Sequence, residues 1–353
     1  MRRKTRRISI GRVAVGDGAP VSVQSMTNTD TSDAEATLRQ IERLADAGCE
    51  IVRLAVPDDA AAAALSEIRR RTDVPLVADI HFRHDLALAA VKAGVDGLRI
   101  NPGNIGSPDR VAEVAAAAKA RGIPIRVGVN AGSLEKDILA RHAHPTPAAL
   151  VESALRHVAL LERVDFRDIK ISVKASSVAD TVSAYRMLSG KVDCPLHLGV
   201  TEAGTLLAGA IKSAMGIGTL LAEGLGDTIR VSLTADPVKE VRAGYEILAN
   251  LGLRDRPYPE VISCPTCGRA RIDVERLAEE VEGRLAGVRA PIRVAVMGCA
   301  VNGPGEAKEA DVGVAGGDGK GVIIRGGKII RTCPEGDLAD ELMKEIESLI
   351  NRG

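Results

Sequence analysis

The chain has 353 residues, more than one ordinary domain, so two cores or one large barrel with an appendage are expected. Its 47 basic and 47 acidic side chains cancel and leave no long-range field to draw in a polyanion. Two Phe, three Tyr and no Trp offer no platform for stacking bases, so a nucleic-acid partner is not expected.

The N-terminal "MRRKTRRISIGRVAVGDG" is basic, but no apolar run follows it as a secretory signal requires, and no later segment approaches a membrane span. A cytoplasmic chain is the expectation, with an Arg-rich transit peptide as the weaker alternative. Alternation in "ISIGRVAVG" predicts a small hairpin. From residue 21 a unit repeats: a short apolar run, a polar turn, then an Ala/Leu-rich stretch of helical period. The runs are "VSVQSM", "IVRLAV", "LVADIH", "GLRINP", "IRVGVN", "IKISVKAS", "LHLGVT" and "TIRVSLT". Eight strand-helix units between residues 21 and 252 match a closed (β/α)8 TIM barrel; the rival is a doubly wound open sheet, which seldom runs to eight regular repeats.

At "LGLRDRPYPE" Gly252, Pro257 and Pro259 break the helical pattern, which puts a domain boundary near Arg254 and divides a barrel of residues 1–253 from a tail of 254–353. The tail reads as a small α/β module. It offers a strand ("EVIS"), a helix ("DVERLAEEVEGRLAG"), a strand ("IRVAVMG"), a Gly-rich loop, a hairpin ("GVIIRGGKIIR") and a final helix.

Barrel active sites lie at the C-terminal rim, and several strands carry ionisable groups late in the run. Arg53, Asp79 with His81, Arg99 with Asn101, Arg126 with Asn130, Lys174, and Arg230 with Ser232 occupy such positions. Spacing by two puts Asp79 with His81, Arg99 with Asn101, and Arg126 with Gly128 and Asn130 on shared inward faces, so that Ile100, Val127 and Val129 face the helices. Five basic side chains at one mouth need carboxylate partners or a bound anion, and Asp79 and Glu202 are too few. For any single strand arginine a local salt bridge is the plainer reading; for five together an anionic, diphosphate-like ligand is favoured.

Of six cysteines, Cys49 and Cys194 are isolated among apolar residues, whereas Cys264, Cys267, Cys299 and Cys333 crowd the last quarter, which points to metal rather than a disulfide framework. The C-x2-C of "SCPTCGR" serves zinc, iron-sulfur clusters and redox exchange alike. No histidine follows His197, so a mixed cysteine-histidine zinc site cannot be built from the tail alone. Cys299 can supply a third thiolate. Cys333 in "RTCPEGD" and Glu306 in "NGPGEAK" compete for the fourth position, and a four-thiolate zinc knuckle would take Cys333.

The stretches "SCPTCGR" and "GCAVNGPGEAKEADVGVAGG", with "VADIHF", "LRINPGN", "RVGVN", "SVKAS", "HLGVTEAG" and "GDTIRVSL", closely resemble the 4-hydroxy-3-methylbut-2-enyl diphosphate synthases of the methylerythritol phosphate route to isoprenoids, in their shorter bacterial form. The resemblance spans nearly the whole chain. It implies a [4Fe-4S] cluster held by Cys264, Cys267, Cys299 and Glu306, with Cys333 a bystander. A carboxylate is a harder and more exchangeable ligand than a thiolate, so its iron can yield to a substrate oxygen. Implied too is reductive opening of 2-C-methyl-D-erythritol 2,4-cyclodiphosphate to (E)-4-hydroxy-3-methylbut-2-enyl diphosphate, with electrons from flavodoxin or ferredoxin. Arg53, Arg99, Arg126, Lys174 and Arg230 would then hold the diphosphate, supported by Asn101, Asn130 and Ser232. Asp79 and His81 would order the pocket, and Glu202 would give a proton to the departing oxygen. A head-to-tail homodimer with sites shared between chains is the implied assembly, with "LRDRPYPE" as a hinge. Two other classes stay in view: a phosphate-binding barrel with a structural zinc knuckle, and a methyl-transfer barrel of the pterin-binding kind.

Overall fold

A computed structural model describes residues 2–101, 103–299, 305 and 307–351. The chain forms two compact units, Met1–Arg254 and Asp255–Gly353. Among the described residues no helix is long and apolar enough to cross a membrane.

The first unit opens with a hairpin, β1 (Ile8–Ile10) and β2 (Val13–Val15), and continues with eight parallel strands. These are β3 (Ser22–Met26), β4 (Ile51–Ala55), β5 (Leu76–Asp79), β6 (Gly97–Ile100), β7 (Ile125–Asn130), β8 (Ile169–Lys174), β9 (His197–Leu198) and β10 (Thr228–Ile229). Each pairs with its neighbour in sequence, β10 pairs with β3, and a bridge from Ile171 to Leu196 joins β8 to β9, so the sheet closes on itself. Amphipathic helices such as Ala34–Asp46, with Leu38, Ile41 and Leu44 buried, cover the outside. Asp33, Asp58, Thr146 and Asp236 cap four of these helices by accepting a backbone N–H from the first turn, so each begins where its polar turn ends. The hairpin closes the floor: Ile8, Ile10 and Val15 form one apolar cluster with Ile51 and Val77.

The stagger of paired residues round the ring gives the shear of a TIM barrel, in which inward side chains from alternate strands share a layer. Ile51, Gly97, Lys170 and Thr228 make the lowest of these layers. Gln24, Val77, Arg126 and His197 lie on it, then Arg53, Arg99, Ser172 and Arg230, with Met26, Asp79, Gly128 and Gly199 above. Branched apolar residues usually fill such layers; here polar and cationic groups replace most of them.

The second unit is a five-stranded mixed sheet in the order β11 (Glu260–Ser263), β12 (Arg293–Met297), β13 (Val312–Gly317), β14 (Lys320–Arg325), β15 (Lys328–Pro334). Helices Val274–Leu285 and Leu338–Ile350 pack their apolar stripes on one face with Val294, Val296, Val312 and Val314. β13 corrects the expected Gly-rich loop. Gly313 lies where a Cβ would stand 2.7 Å from the Ala295 Cβ, and Gly316 where one would meet Ile272 at 2.6 Å. These glycines mark close approach inside a sheet rather than a turn.

Candidate active site

The strand arginines belong to short β-runs whose alternate residues are fully buried aliphatics; Ile100, Val127 and Val129 face outward and the charged residues inward. A pocket opens among Arg53, Asp79, His81, Arg99, Arg126, Asn130, Ser172, Lys174, Thr201, Arg230 and Ser232. The sequence reading anticipated nine of these positions. Ser172 and Thr201 it missed, although Ser172 lies two residues before Lys174 on the same face. Asn101 is buried and accepts the Gly103 N–H at 3.1 Å, which shapes the turn after β6 rather than the pocket wall. Glu202 follows Thr201 in a left-handed backbone conformation, φ 52°, and does not line the pocket.

Asp79 is the carboxylate around which the cations gather. The Arg99 Nη1 donates to its Oδ1 at 3.1 Å, the Arg53 Nε stands 3.6 Å from its Oδ2, and His81 is at the same distance. Burial alone would raise its pKa, but Arg53, the His81 hydrogen bond, Arg99 and Arg126 outweigh it and hold the carboxyl well below the ordinary range. Arg99 also reaches the His81 ring at 2.9 Å and the Gly128 carbonyl at 3.3 Å. A Cβ on Gly128 would stand 2.5 Å from the Arg99 Nε, so glycine makes room for the guanidinium. The Arg53 guanidinium lies against the Met26 sulfur, and burial lowers its pKa to about 10.

Arg230 is a different case. Its Nε and Nη2 donate to both oxygens of buried Glu240 at 3.2 and 3.1 Å, and Glu240 also accepts from the Ser25 hydroxyl at 2.8 Å and the Leu233 N–H at 3.0 Å. For this arginine the local salt bridge is what the chain forms. No sequence pattern marks Glu240, which sits on helix Pro237–Asn250, ten residues after the strand arginine. Arg53, Arg99 and Arg126 then share Asp79, while Lys174 faces only other cations. Among the described residues Arg126 keeps Nε and Nη1 buried with no partner. Burial first, then Arg53 and Arg99, pushes its pKa well below the ordinary value; for Lys174 the cause is burial, then Arg126 and Arg53. Such a cluster is uncomfortable empty and well matched to a multiply charged anion.

In the second unit Cys264 directly follows β11, and Cys299 lies two residues past β12; because these strands are parallel neighbours, both thiols are at the same edge of the sheet. The Gly298 N–H donates to the Cys264 sulfur at 3.2 Å. Cys267 is exposed, and the Arg269 backbone N–H, then the Arg269 side chain, lower its thiol pKa. Thiolate ligands with N–H···S hydrogen bonds suit an iron-sulfur centre. Among the described residues no three His, Cys, Asp or Glu side chains converge on one metal ion. Glu306 lies outside the described residues. Cys333 is on β15, three strands across the sheet from β12, roughly 14 Å at ordinary strand spacing. It packs in the apolar core, and burial raises its pKa.

Fold and pocket define a (β/α)8 barrel with a cation-lined mouth, followed by a thiol-bearing α/β domain. The chain belongs to the GcpE family: the GcpE TIM-barrel domain matches residues 5–245 and the GcpE protein C-terminal domain residues 260–348. Relatives from Geobacter sulfurreducens (60% identical over 99% of both chains) and Clostridium perfringens (57%, 99% of both) each carry the name 4-hydroxy-3-methylbut-2-en-1-yl diphosphate synthase (flavodoxin). So does one from Caldanaerobacter subterraneus, 59% identical over 99% of this chain and 98% of its own. These relatives disfavour the zinc-knuckle binding protein. Among solved structures, Yersinia pestis dihydropteroate synthase superposes with TM-score 0.50 at 15% identity, over 70% of this chain and 98% of its own. At that identity the likeness concerns the barrel fold and carries nothing about a pterin ligand.

Proposed function

We propose that the chain opens 2-C-methyl-D-erythritol 2,4-cyclodiphosphate reductively to (E)-4-hydroxy-3-methylbut-2-enyl diphosphate, two electrons entering and one oxygen leaving as water. The observation that carries this reading is the set of buried, under-neutralised cations at the barrel mouth. Among the described residues Arg126 has Nε and Nη1 without partners, Arg53 and Arg99 share the Asp79 carboxylate with it, and Lys174 adds a further buried amine beside them. A cyclic diphosphate brings the missing negative charge and planar oxygen pairs for guanidinium forks. Asn130, Ser172, Thr201 and Ser232 supply neutral hydrogen-bonding groups on the wall. Arg230, already bound to Glu240, presents a fixed guanidinium whose orientation costs nothing on binding.

Cys264, Cys267 and Cys299, with Glu306, would hold a [4Fe-4S] cluster, which when bound supplies single electrons and a Lewis-acidic iron. Asp79 keeps the guanidiniums in register, and its depressed pKa leaves it ionised, which suits an orienting group and not a proton donor. Glu202 remains our candidate donor; its left-handed backbone is the kind of local strain that functional positions retain. Flavodoxin is the electron donor, and the working assembly is a homodimer in which the pocket of one chain is served by the thiolates of the other.

Anaerobically purified protein is expected to be brown, with about four irons per chain, and to form the alkenyl diphosphate when given the cyclodiphosphate and reduced flavodoxin. Arg126→Met should retain the iron and lose about 10- to 100-fold in kcat/KM, the worth of one or two charge-assisted hydrogen bonds. A colourless, iron-free protein that still turned over would overthrow the reading.

A further inference from the structure

Beneath the substrate pocket the barrel interior holds a second group of unsatisfied donors. Lys170 is 2% exposed and its Nζ has no hydrogen-bond partner among the described residues. It pairs in register with Arg126, whose Nε and Nη1 are likewise unpartnered. In the layer above Lys170, Arg126 is accompanied by Gln24 and His197. Neither end of the Gln24 amide is satisfied; His197 uses Nδ1 on the Thr228 hydroxyl at 2.6 Å and leaves Nε2 open. All four side chains point into the barrel by strand parity, and the Ile8, Ile10, Val15 cluster seals the floor below them.

A packed barrel needs none of this; a Leu or Val at each position fills the space without cost. A buried cation left alone costs several kcal/mol, and the usual relief is a carboxylate. The nearest one below, Asp227, is engaged with the Leu196 N–H, the Thr5 hydroxyl and Arg2. Asp79 is two layers above Arg126 and engaged with Arg99 and Arg53. A neutral amine on Lys170 is the alternative, and burial, then Arg126 and Arg53, drives it that way. That outcome still leaves the Arg126 guanidinium and the amide of Gln24 unpaired, because an arginine does not give up its proton.

We propose that Gln24, Arg126, Lys170 and His197 form a seat for one small monovalent anion of halide size, beneath the diphosphate pocket and sharing Arg126 with it. The anion accepts from the Lys170 ammonium, the Gln24 amide, the His197 Nε2–H and one of the two unpartnered Arg126 nitrogens, leaving the other for the diphosphate. It neutralises the bottom of the cation cluster, so that Lys170 keeps its proton and Arg126 stays directed at the mouth.

Crystals of the full protein equilibrated in sodium bromide should show an anomalous scattering peak ringed by these four side chains. In solution, bromide should raise Tm saturably over gluconate at equal ionic strength, and Lys170→Met should abolish that rise. Should Lys170→Met fail to fold, the crystallographic arm on the unaltered protein stands by itself. Water alone at the position, with no anomalous signal, overturns the proposal, as does a bromide effect of equal size in the variant.

Discussion

Asp79 is 6% exposed and faces Arg53, His81, Arg99 and Arg126, so its charge is worth more to the fold than that of any surface carboxylate. Replacing it by Asn keeps the shape and removes the charge, leaving Arg53 and Arg99 buried without their counter-ion. The expected loss is about 3 kcal/mol at neutral pH, read from chemical denaturation. The pH dependence has a definite sign. Because the folded-state pKa lies below the unfolded value near 4, the contribution is complete above that value and is lost as pH falls beneath it. Unaltered protein should therefore lose stability more steeply than Asp79→Asn in acid, and the two curves should approach each other there. Parallel curves across the acid range would mean that Asp79 is no better paired in the native state than in the unfolded chain.

Among the elements, the barrel strands were legible and one tail strand was not, for the same reason. A strand announces itself by bulky residues on alternating faces, which "IVRLAV" and "IRVGVN" have and "VGVAGG" lacks. β13 has three glycines in six residues because its neighbours leave no room: Gly313 lies against Ala295 and Gly316 against Ile272. Parity brought Arg53, Arg99, Arg126 and Lys174 to one mouth from sequence alone. The same rule carried one and two steps deeper from Lys174 reaches Ser172 and Lys170, but there the burial that makes a lysine notable is a property of the closed ring and not of the strand. Glu240 and the left-handed turn at Glu202 depend on contacts or backbone angles that no local pattern encodes. A substitution tests the β13 reading. Gly313→Val should cost about 1–3 kcal/mol by overpacking and raise hydrogen exchange in the second unit while the barrel amides keep their protection. Accelerated exchange spread evenly over both units would show that the strain is not local to this sheet.

For the whole molecule, the proposed chemistry divides between two units: the cations that would bind the diphosphate lie in Met1–Arg254 and the thiols that would hold the cluster in Asp255–Gly353. On that proposal neither unit alone can both hold the substrate and deliver electrons to it. If the sites are shared between chains, a dimer with one barrel-defective and one tail-defective subunit has one site with both defects and one with neither. Arg126→Met and Cys264→Ser supply the two defects, the first weakening substrate binding and the second removing a thiolate ligand. Mixed after unfolding and reassembly under anaerobic conditions, the two weak variants should recover activity, with about half the wild-type turnover per heterodimer. Sites confined to single chains predict no gain on mixing, since every chain then carries its own lesion. Analytical separation of differently tagged subunits gives the heterodimer fraction, so the recovered rate per heterodimer distinguishes the two arrangements directly.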